Sequence, residues 1–155
     1  MVVADTTPLN YLILLRQIDI LPPLFTRVLV PTAVMTELRH AEPPAAVRNW
    51  ATGPSPQWLE IREPNALEPA LEFLGTGERS AIALAQETSA GALLIDERAG
   101  RREAERRHLR VIGTLAVLEE ASRRGLLNFS ATLEQLRQTS FRLSPFLLRA
   151  FSQPH

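Results

Sequence analysis

The chain has 155 residues, 45% of them hydrophobic, which fits one globular domain with a sizeable core and argues against disorder. Its 17 basic and 17 acidic residues balance, so the net charge gives no support for nucleic-acid binding. The chain has no cysteine and no lysine, which excludes disulfide scaffolds, thiolate metal sites, cysteine nucleophiles and Schiff-base chemistry.

In chain order, short apolar runs alternate with segments of helical period, which is the pattern of βαβ units around a parallel sheet. The predicted elements are a strand at residues 1–4, a helix opening at Thr7-Pro8 with the threonine as its cap, a strand at 27–30, a helix at 31–40, a weaker strand at 58–62, a helix at 76–87, a strand at 92–95, a helix at 98–108, a short strand at 110–112 and a helix at 114–124.

Two short helices between Ser130 and Phe151 complete the chain and predict a helical C-terminal extension, residues 130–155, packed on the rest. No repeat or linker interrupts residues 1–155, so we expect a single domain. The first residues lack a charged segment followed by a long apolar one, and no apolar run approaches the length of a membrane span. We therefore expect a cytoplasmic protein without membrane association.

Two of the three aspartates directly follow apolar strands: Asp5 comes after Val2–Ala4, and Asp96 after Leu93–Ile95. Ligands of open parallel sheets bind outside the carboxyl ends of the strands, where both carboxylates would lie. The alternative is that each aspartate caps the helix that follows it. For Asp5 that alternative is weaker, because Thr7 before Pro8 is better placed as a cap.

Two glutamates occupy informative places on predicted helices. Glu37 lies beside the apolar stripe of Val34, Met35, Leu38 and Ala41, where it can reach the sheet edge or serve as an ordinary flanking residue. Glu78 opens a helix after Gly75-Thr76-Gly77, and an acid in a first turn is also favoured by the helix dipole. Small residues on that helix allow close packing on the sheet, which would hold Glu78 near the other acids.

The order of these acids resembles that of the PIN-domain family, and most closely PIN-like proteins related to the toxins of VapBC toxin–antitoxin pairs. The segments that carry the resemblance are Val3-Ala4-Asp5-Thr6-Thr7-Pro8-Leu9, Val34-Met35-Thr36-Glu37-Leu38, Gly77-Glu78-Arg79-Ser80-Ala81-Ile82-Ala83-Leu84-Ala85, Leu94-Ile95-Asp96-Glu97-Arg98-Ala99-Gly100-Arg101 and Val111-Ile112-Gly113-Thr114-Leu115.

The resemblance implies a three-layer α/β/α fold with a mainly parallel sheet of four or five strands. It also implies a Mg²⁺- or Mn²⁺-dependent endoribonuclease, toxin-like in role, with RNA as substrate and a small antitoxin protein or a second copy as possible partners. The implied catalytic and metal-binding residues are Asp5, Glu37, Glu78 and Asp96. Thr7 matches the hydroxyl residue that supports the first aspartate, and Glu97 stands where one subgroup has a second aspartate.

The chemistry of these residue types agrees with that implication. Hard divalent cations take oxygen ligands, whereas the three histidines, His40, His108 and His155, match no zinc spacing. Two other functions stay open: a catalytically inactive PIN-fold module that binds RNA or protein, and a nuclease that cleaves DNA by the same metal chemistry.

Six arginines follow Asp96 within residues 98–110, and Arg98 and Arg101 are the candidates for contacts with RNA phosphates. The alternative is a solvated helix whose glutamates offset the charge. The tail is apolar at Phe141, Leu143, Phe146, Leu147 and Phe151, which indicates core packing or, as an alternative, a dimer seam or antitoxin groove.

Overall fold

Five parallel strands form the central sheet of the computed structural model, which describes residues 1–40, 42 and 44–141. The strands are β1 (Val2–Ala4), β2 (Val28–Pro31), β3 (Leu59–Arg62), β4 (Ala92–Leu94) and β5 (Val111–Ile112), in the spatial order β3-β2-β1-β4-β5. In the middle of the sheet, Val3 lies between Leu29 of β2 and Leu93 of β4. The central strands are buried on both faces, which explains why their sequences are continuously apolar.

Helices cover both faces of this sheet. They are α1 (Thr6–Leu14), α2 (Leu21–Phe25), α3 (Thr32–Arg39), α4 (Ala45–Thr52), α5 (Thr76–Thr88), α6 (Arg98–Arg106), α7 (Thr114–Arg123) and α8 (Phe129–Arg137). Alternate strand residues point to opposite faces, so Val2 and Ala4 join a core with α1, α3, α4, α7 and α8, while Val3 joins one with α5 and α6. The predicted three-layer α/β/α fold is confirmed.

The strand order reverses at the centre of the sheet. From β1 the chain moves outward through β2 to β3, and later returns beside β1 as β4 before moving outward the other way to β5. Such a reversal opens a crevice at the carboxyl ends of the two central strands. Asp5 directly follows β1 and Asp96 lies two residues beyond β4, so both aspartates stand at this crevice.

Several predicted boundaries were wrong. Helix α1 begins at Thr6 with Asp5 in the N-cap position, so Thr7 lies inside the first turn and does not cap the helix. Helix α6 ends at Arg106, because His108 adopts a positive φ of 63° that a helix cannot continue through. Helices α2 and α4 were not predicted. Both are short, and α2 has prolines in its first turn.

The described part of the C-terminal extension packs on the domain. Phe129, Leu133 and Leu136 of α8 enter the same core as α1 and α7, and the ring of Phe141 lies edge-on to Tyr11 with centroids 4.9 Å apart. Residues 142–155, which include Leu143, Phe146, Leu147 and Phe151, lie outside the described residues, as does Ala41 of the predicted α3 stripe. Among the described helices, none combines the length and apolarity that crossing a membrane requires.

Candidate active site

Asp5 is a buried carboxyl group without a helix-capping role. It is 2% exposed and occupies the N-cap position of α1, yet its side chain accepts no capping hydrogen bond. Burial raises its pKa from the usual 3.8 to about 7, and the backbone N–H of Thr6 offsets only part of that rise. Asp5 therefore does not act as a helix cap. The reason differs from the predicted one, because Thr7 lies inside α1 and does not cap the helix either.

Glu37 is held over the end of the sheet by two donors from other elements. The Thr6 hydroxyl donates to its Oε2 at 2.6 Å, and the Gly77 backbone N–H donates to its Oε1 at 3.2 Å. A Cβ atom at position 77 would lie 2.7 Å from Oε1, so only glycine lets α5 approach this carboxylate without displacing it. The three buried residues of α3, Val34, Met35 and Leu38, fix the helix face from which Glu37 extends.

Glu78 lies in the first turn of α5, where the start of α6 approaches it. A Cβ atom at Gly75 would lie 3.0 Å from its Oε1, and one at Gly100 would lie 2.9 Å from its Oε2. Burial raises the pKa of Glu78, and the negative charges of Glu97 and Glu37 raise it further. The predicted close packing around Glu78 thus involves Gly75 before α5 and Gly100 on α6.

Asp96 is oriented by the helix that follows β5. Its Oδ1 accepts from the Thr114 backbone N–H at 2.9 Å and its Oδ2 from the Thr114 hydroxyl at 2.5 Å. The Asp96 side chain therefore binds the N-terminus of α7. The capping alternative predicted that it would instead cap α6, the next helix in sequence. Burial still raises its pKa overall, although both Thr114 bonds and the charge of Arg101 lower it.

All four predicted acids belong to one electrostatic cluster. Besides burial, three negative charges raise the pKa of Asp5; they belong to Glu78, Glu37 and Asp96. Within residues 1–40, 42 and 44–141, however, no three His, Asp or Glu side chains stand close enough to hold a metal ion as they are. The all-oxygen donors fit Mg²⁺ or Mn²⁺, but direct ligation by several of them requires their side chains to move.

Other predicted residues lie around this cluster in different ways. At the start of α1 the hydroxyl that supports an acid is that of Thr6, which donates to Glu37, and no hydrogen bond joins Thr7 to Asp5 in the described structure. Exposed Glu97 is the N-cap residue of α6, and its charge raises the pKa of both Glu78 and Asp96. Arg98 and Arg101 line a groove that also contains Asp96.

Sequence reasoning did not predict that Thr6 and Gly77 bind Glu37 or that Thr114 binds Asp96, although each lies in a segment that carried the resemblance. The only signal for Thr114 was its place after Val111-Ile112-Gly113. Its contact with Asp96 joins positions 18 residues apart, and that of Gly77 with Glu37 joins positions 40 apart. Such pairings depend on how the helices return to the sheet.

Thr114→Val should destabilise the protein by about 1.5–3 kcal/mol at pH 8, because it deprives the half-buried carboxylate of Asp96 of a hydroxyl donor. Thr132→Val is the matched control: Thr132 is also buried, but its hydroxyl donates to the neutral backbone carbonyl of Asn128. We expect about 0.5–1.5 kcal/mol for that change. Urea unfolding of both variants measures the difference. Equal losses would show that the Thr114 bond to Asp96 has no special strength.

Comparison with known proteins agrees with this architecture. A family model described as a PIN domain matches residues 1–154, which is nearly the whole chain. No curated protein and no solved structure matches it. On the extent of that match, the chain belongs to the PIN-domain family.

Proposed function

We propose that this chain is a Mg²⁺- or Mn²⁺-dependent endoribonuclease that hydrolyses RNA phosphodiester bonds. Its catalytic and metal-holding side chains would be those of Asp5, Glu37, Glu78 and Asp96. PIN domains are generally nucleases, and the four acids gather where open parallel sheets bind their ligands. The family supports the class of reaction, and the choice of RNA and of the metals is our proposal.

The observation that carries the proposal is the state of Asp5. A buried carboxylate is unfavourable unless it is paired, yet the Thr6 backbone N–H offsets only part of the cost at Asp5, and its charged neighbours are three acids. A pKa raised by burial and like charges is typical of groups kept for chemistry. A divalent cation would compensate this charge with the oxygen donors already present.

Each acid would have a distinct part in holding the reacting groups. Thr6 and Gly77 hold the Glu37 carboxylate, and Thr114 holds that of Asp96, so both acids are kept near Asp5 before their side chains move to bind an ion. A bound divalent cation would activate water and stabilise charge on the phosphoryl oxygens. The burial of Asp5 would strengthen its attraction for that cation.

We propose further that the protein is the toxin-like member of a toxin–antitoxin pair, acting on RNA in the cytoplasm, with a small antitoxin protein as its partner. The support is the motif resemblance around Asp5 and Asp96. A neighbouring reading frame that encodes a small protein able to bind this chain and stop RNA cleavage would be the expected finding. Cleavage that no such neighbour affects would contradict the toxin-like role.

Purified protein should cleave single-stranded RNA when Mg²⁺ or Mn²⁺ is present, and EDTA should stop it. Losing a partner that merely orients a metal ligand typically lowers activity 10–100-fold, so losing a ligand should lower it by about a hundredfold or more. We therefore expect Asp5→Asn and Asp96→Asn to reduce the cleavage rate at least that much. The measurement is the initial rate on a labelled RNA, with single-stranded DNA of the same sequence in parallel.

Asp19→Asn is the matched control, since Asp19 is the remaining aspartate and is exposed in a 3₁₀ turn outside the acidic cluster. It should cleave RNA at the wild-type rate. If wild-type protein binds several RNAs but cleaves none with either metal, the inactive-module alternative is correct. Cleavage of DNA alone would contradict the choice of RNA.

A further inference from the structure

A groove of about 1790 Å³ runs from the acidic cluster along the outer part of the sheet. One wall is the exposed side of α1, including Thr7 and Tyr11, and the opposite wall includes Ile112 and Gly113 at β5. We call this the β5 groove. Asp96 lies in its lining, so the groove and the candidate active site are continuous.

The six arginines at residues 98–110 divide into two kinds. Arg106 and Arg107 both pair with the nearly buried Glu103, and Arg107 also pairs with Glu68, so their charges are balanced within the fold. The other four, Arg98, Arg101, Arg102 and Arg110, form no direct ion pair within the described residues. Three of these four line the β5 groove, and Arg102 does not.

Two of the three groove arginines lie at opposite ends of the outermost strand, β5: Arg110 is at its amino end and Arg101 is at its carboxyl end. Arg101 reaches across that end, since a Cβ atom at Gly113 would lie 2.7 Å from its Nη1 and 3.0 Å from Asp96 Oδ1. Arg110 directly precedes β5. It lies on the same face of the sheet as Ile112, two residues later. That face is the one covered by α1 and α7, since Ile112 packs against their core. Arg110 and Gly113 are three residue steps apart along extended chain, a distance of about 10 Å.

We infer that Arg98, Arg101 and Arg110 form a phosphate-binding track that guides the backbone of single-stranded RNA along the β5 groove to the acids. This inference rests on the proposed function, which it deepens by naming how the substrate is held. It also separates Arg98 and Arg101, which the sequence singled out, from their neighbours and adds Arg110.

The lining of the groove has five arginines against the three acids Asp96, Glu97 and Glu120, and this excess of positive charge favours a polyanion as its occupant. Its other two arginines, Arg123 and Arg124, both pair with Glu120, which leaves the three track arginines as the cations available to a ligand. A guanidinium binds phosphate through two parallel hydrogen bonds, and a nucleic-acid strand presents one phosphate per nucleotide along its length. Contacts of this kind hold the backbone without reading the bases.

The test measures the affinity of metal-free protein in EDTA for a fluorescent oligouridylate at several salt concentrations. For single strands, log affinity falls with log salt with a slope of about 0.7 per phosphate contact. Arg98→Ala and Arg110→Ala should each reduce the slope by about 0.7, and the double variant by about twice that. Arg101→Ala should also reduce the slope by about 0.7. It is a less direct test than the other two variants, because the charge of Arg101 also acts on Asp96.

Arg102→Ala is the matched control, since it removes the same charge from the same helix outside the groove, and its slope should equal that of wild type. A DNA oligomer of equivalent sequence should give the same reductions, because the track contacts phosphates. Wild type that binds no oligomer, or slopes unchanged in all three variants, would overturn the track and leave the groove to a protein partner. Because binding is measured without metal, reduced slopes in a protein that cleaves nothing would support the track and contradict only the proposed nuclease.

Discussion

Asp5→Asn should stabilise the metal-free protein by roughly 4 kcal/mol at pH 8 and change its stability very little at pH 3.5. The effect comes from the buried carboxyl group, whose pKa rises from 3.8 to about 7 mainly because burial disfavours its charged form. The charges of Glu78, Glu37 and Asp96 add to that rise. Each unit of difference between the folded and unfolded pKa corresponds to about 1.36 kcal/mol.

The pH range of the effect follows from where each state loses its proton. Below pH 3.8 Asp5 is protonated in both states, so it resembles the neutral amide of asparagine. Between pH 3.8 and about 7 the unfolded chain releases the proton while the folded chain keeps it, so the stability of wild type falls as pH rises. Above about pH 7 both states are charged, and the full penalty is present in wild type but not in Asp5→Asn.

Urea unfolding in EDTA from pH 3.5 to 8.5 measures this difference, with Asp19→Asn as the control at an exposed aspartate. The free energy of unfolding of Asp5→Asn minus that of wild type should grow through the acid range and level off near neutral pH. For Asp19→Asn the same difference should stay near zero throughout. An Asp5→Asn variant that is less stable than wild type at pH 8 would mean that the Asp5 carboxylate is satisfied in the fold.

The strand-end acids were predictable because their signal is local. An apolar run that ends in aspartate specifies both a buried strand and a polar group at its carboxyl end, as at Val2–Ala4 before Asp5. The orientation of the acids was not predictable in the same way. The contact of Glu37 with Gly77 exists only because α3 and α5, which cover opposite faces of the sheet, approach each other.

The errors in the helices have physical causes as well. Thr6 and Thr7 are adjacent hydroxyl residues, and sequence alone does not say which one the first turn directs toward Glu37. Helix α4 buries only Val47 and Ala51, so its apolar period is too weak to recognise. The sequence singled out Arg98 and Arg101 among the arginines of residues 98–110, but it did not show that Arg107 is paired or that Arg110 lines the groove. Those arrangements depend on Glu103 and on the position of β5.

Mn²⁺ should stabilise wild-type protein by about 2.7 kcal/mol when its concentration is a hundredfold above its dissociation constant, because the ion binds the folded state alone. For a chain of this size the melting temperature should rise by roughly 5–10 °C. Asp5→Asn and Asp96→Asn should lose most of the rise, since each removes a carboxylate proposed to hold the ion.

The variant that separates metal binding from a general effect of negative charge is Glu97→Gln. Glu97 is exposed and its charge raises the pKa of Glu78 and Asp96, so its removal lessens the repulsion within the cluster without removing a proposed ligand. It should keep most of the Mn²⁺ shift, whereas a purely electrostatic attraction would be reduced alike by Glu97→Gln and Asp96→Asn. A wild-type melting temperature that does not move at millimolar Mn²⁺ would contradict the metal-holding role of all four acids.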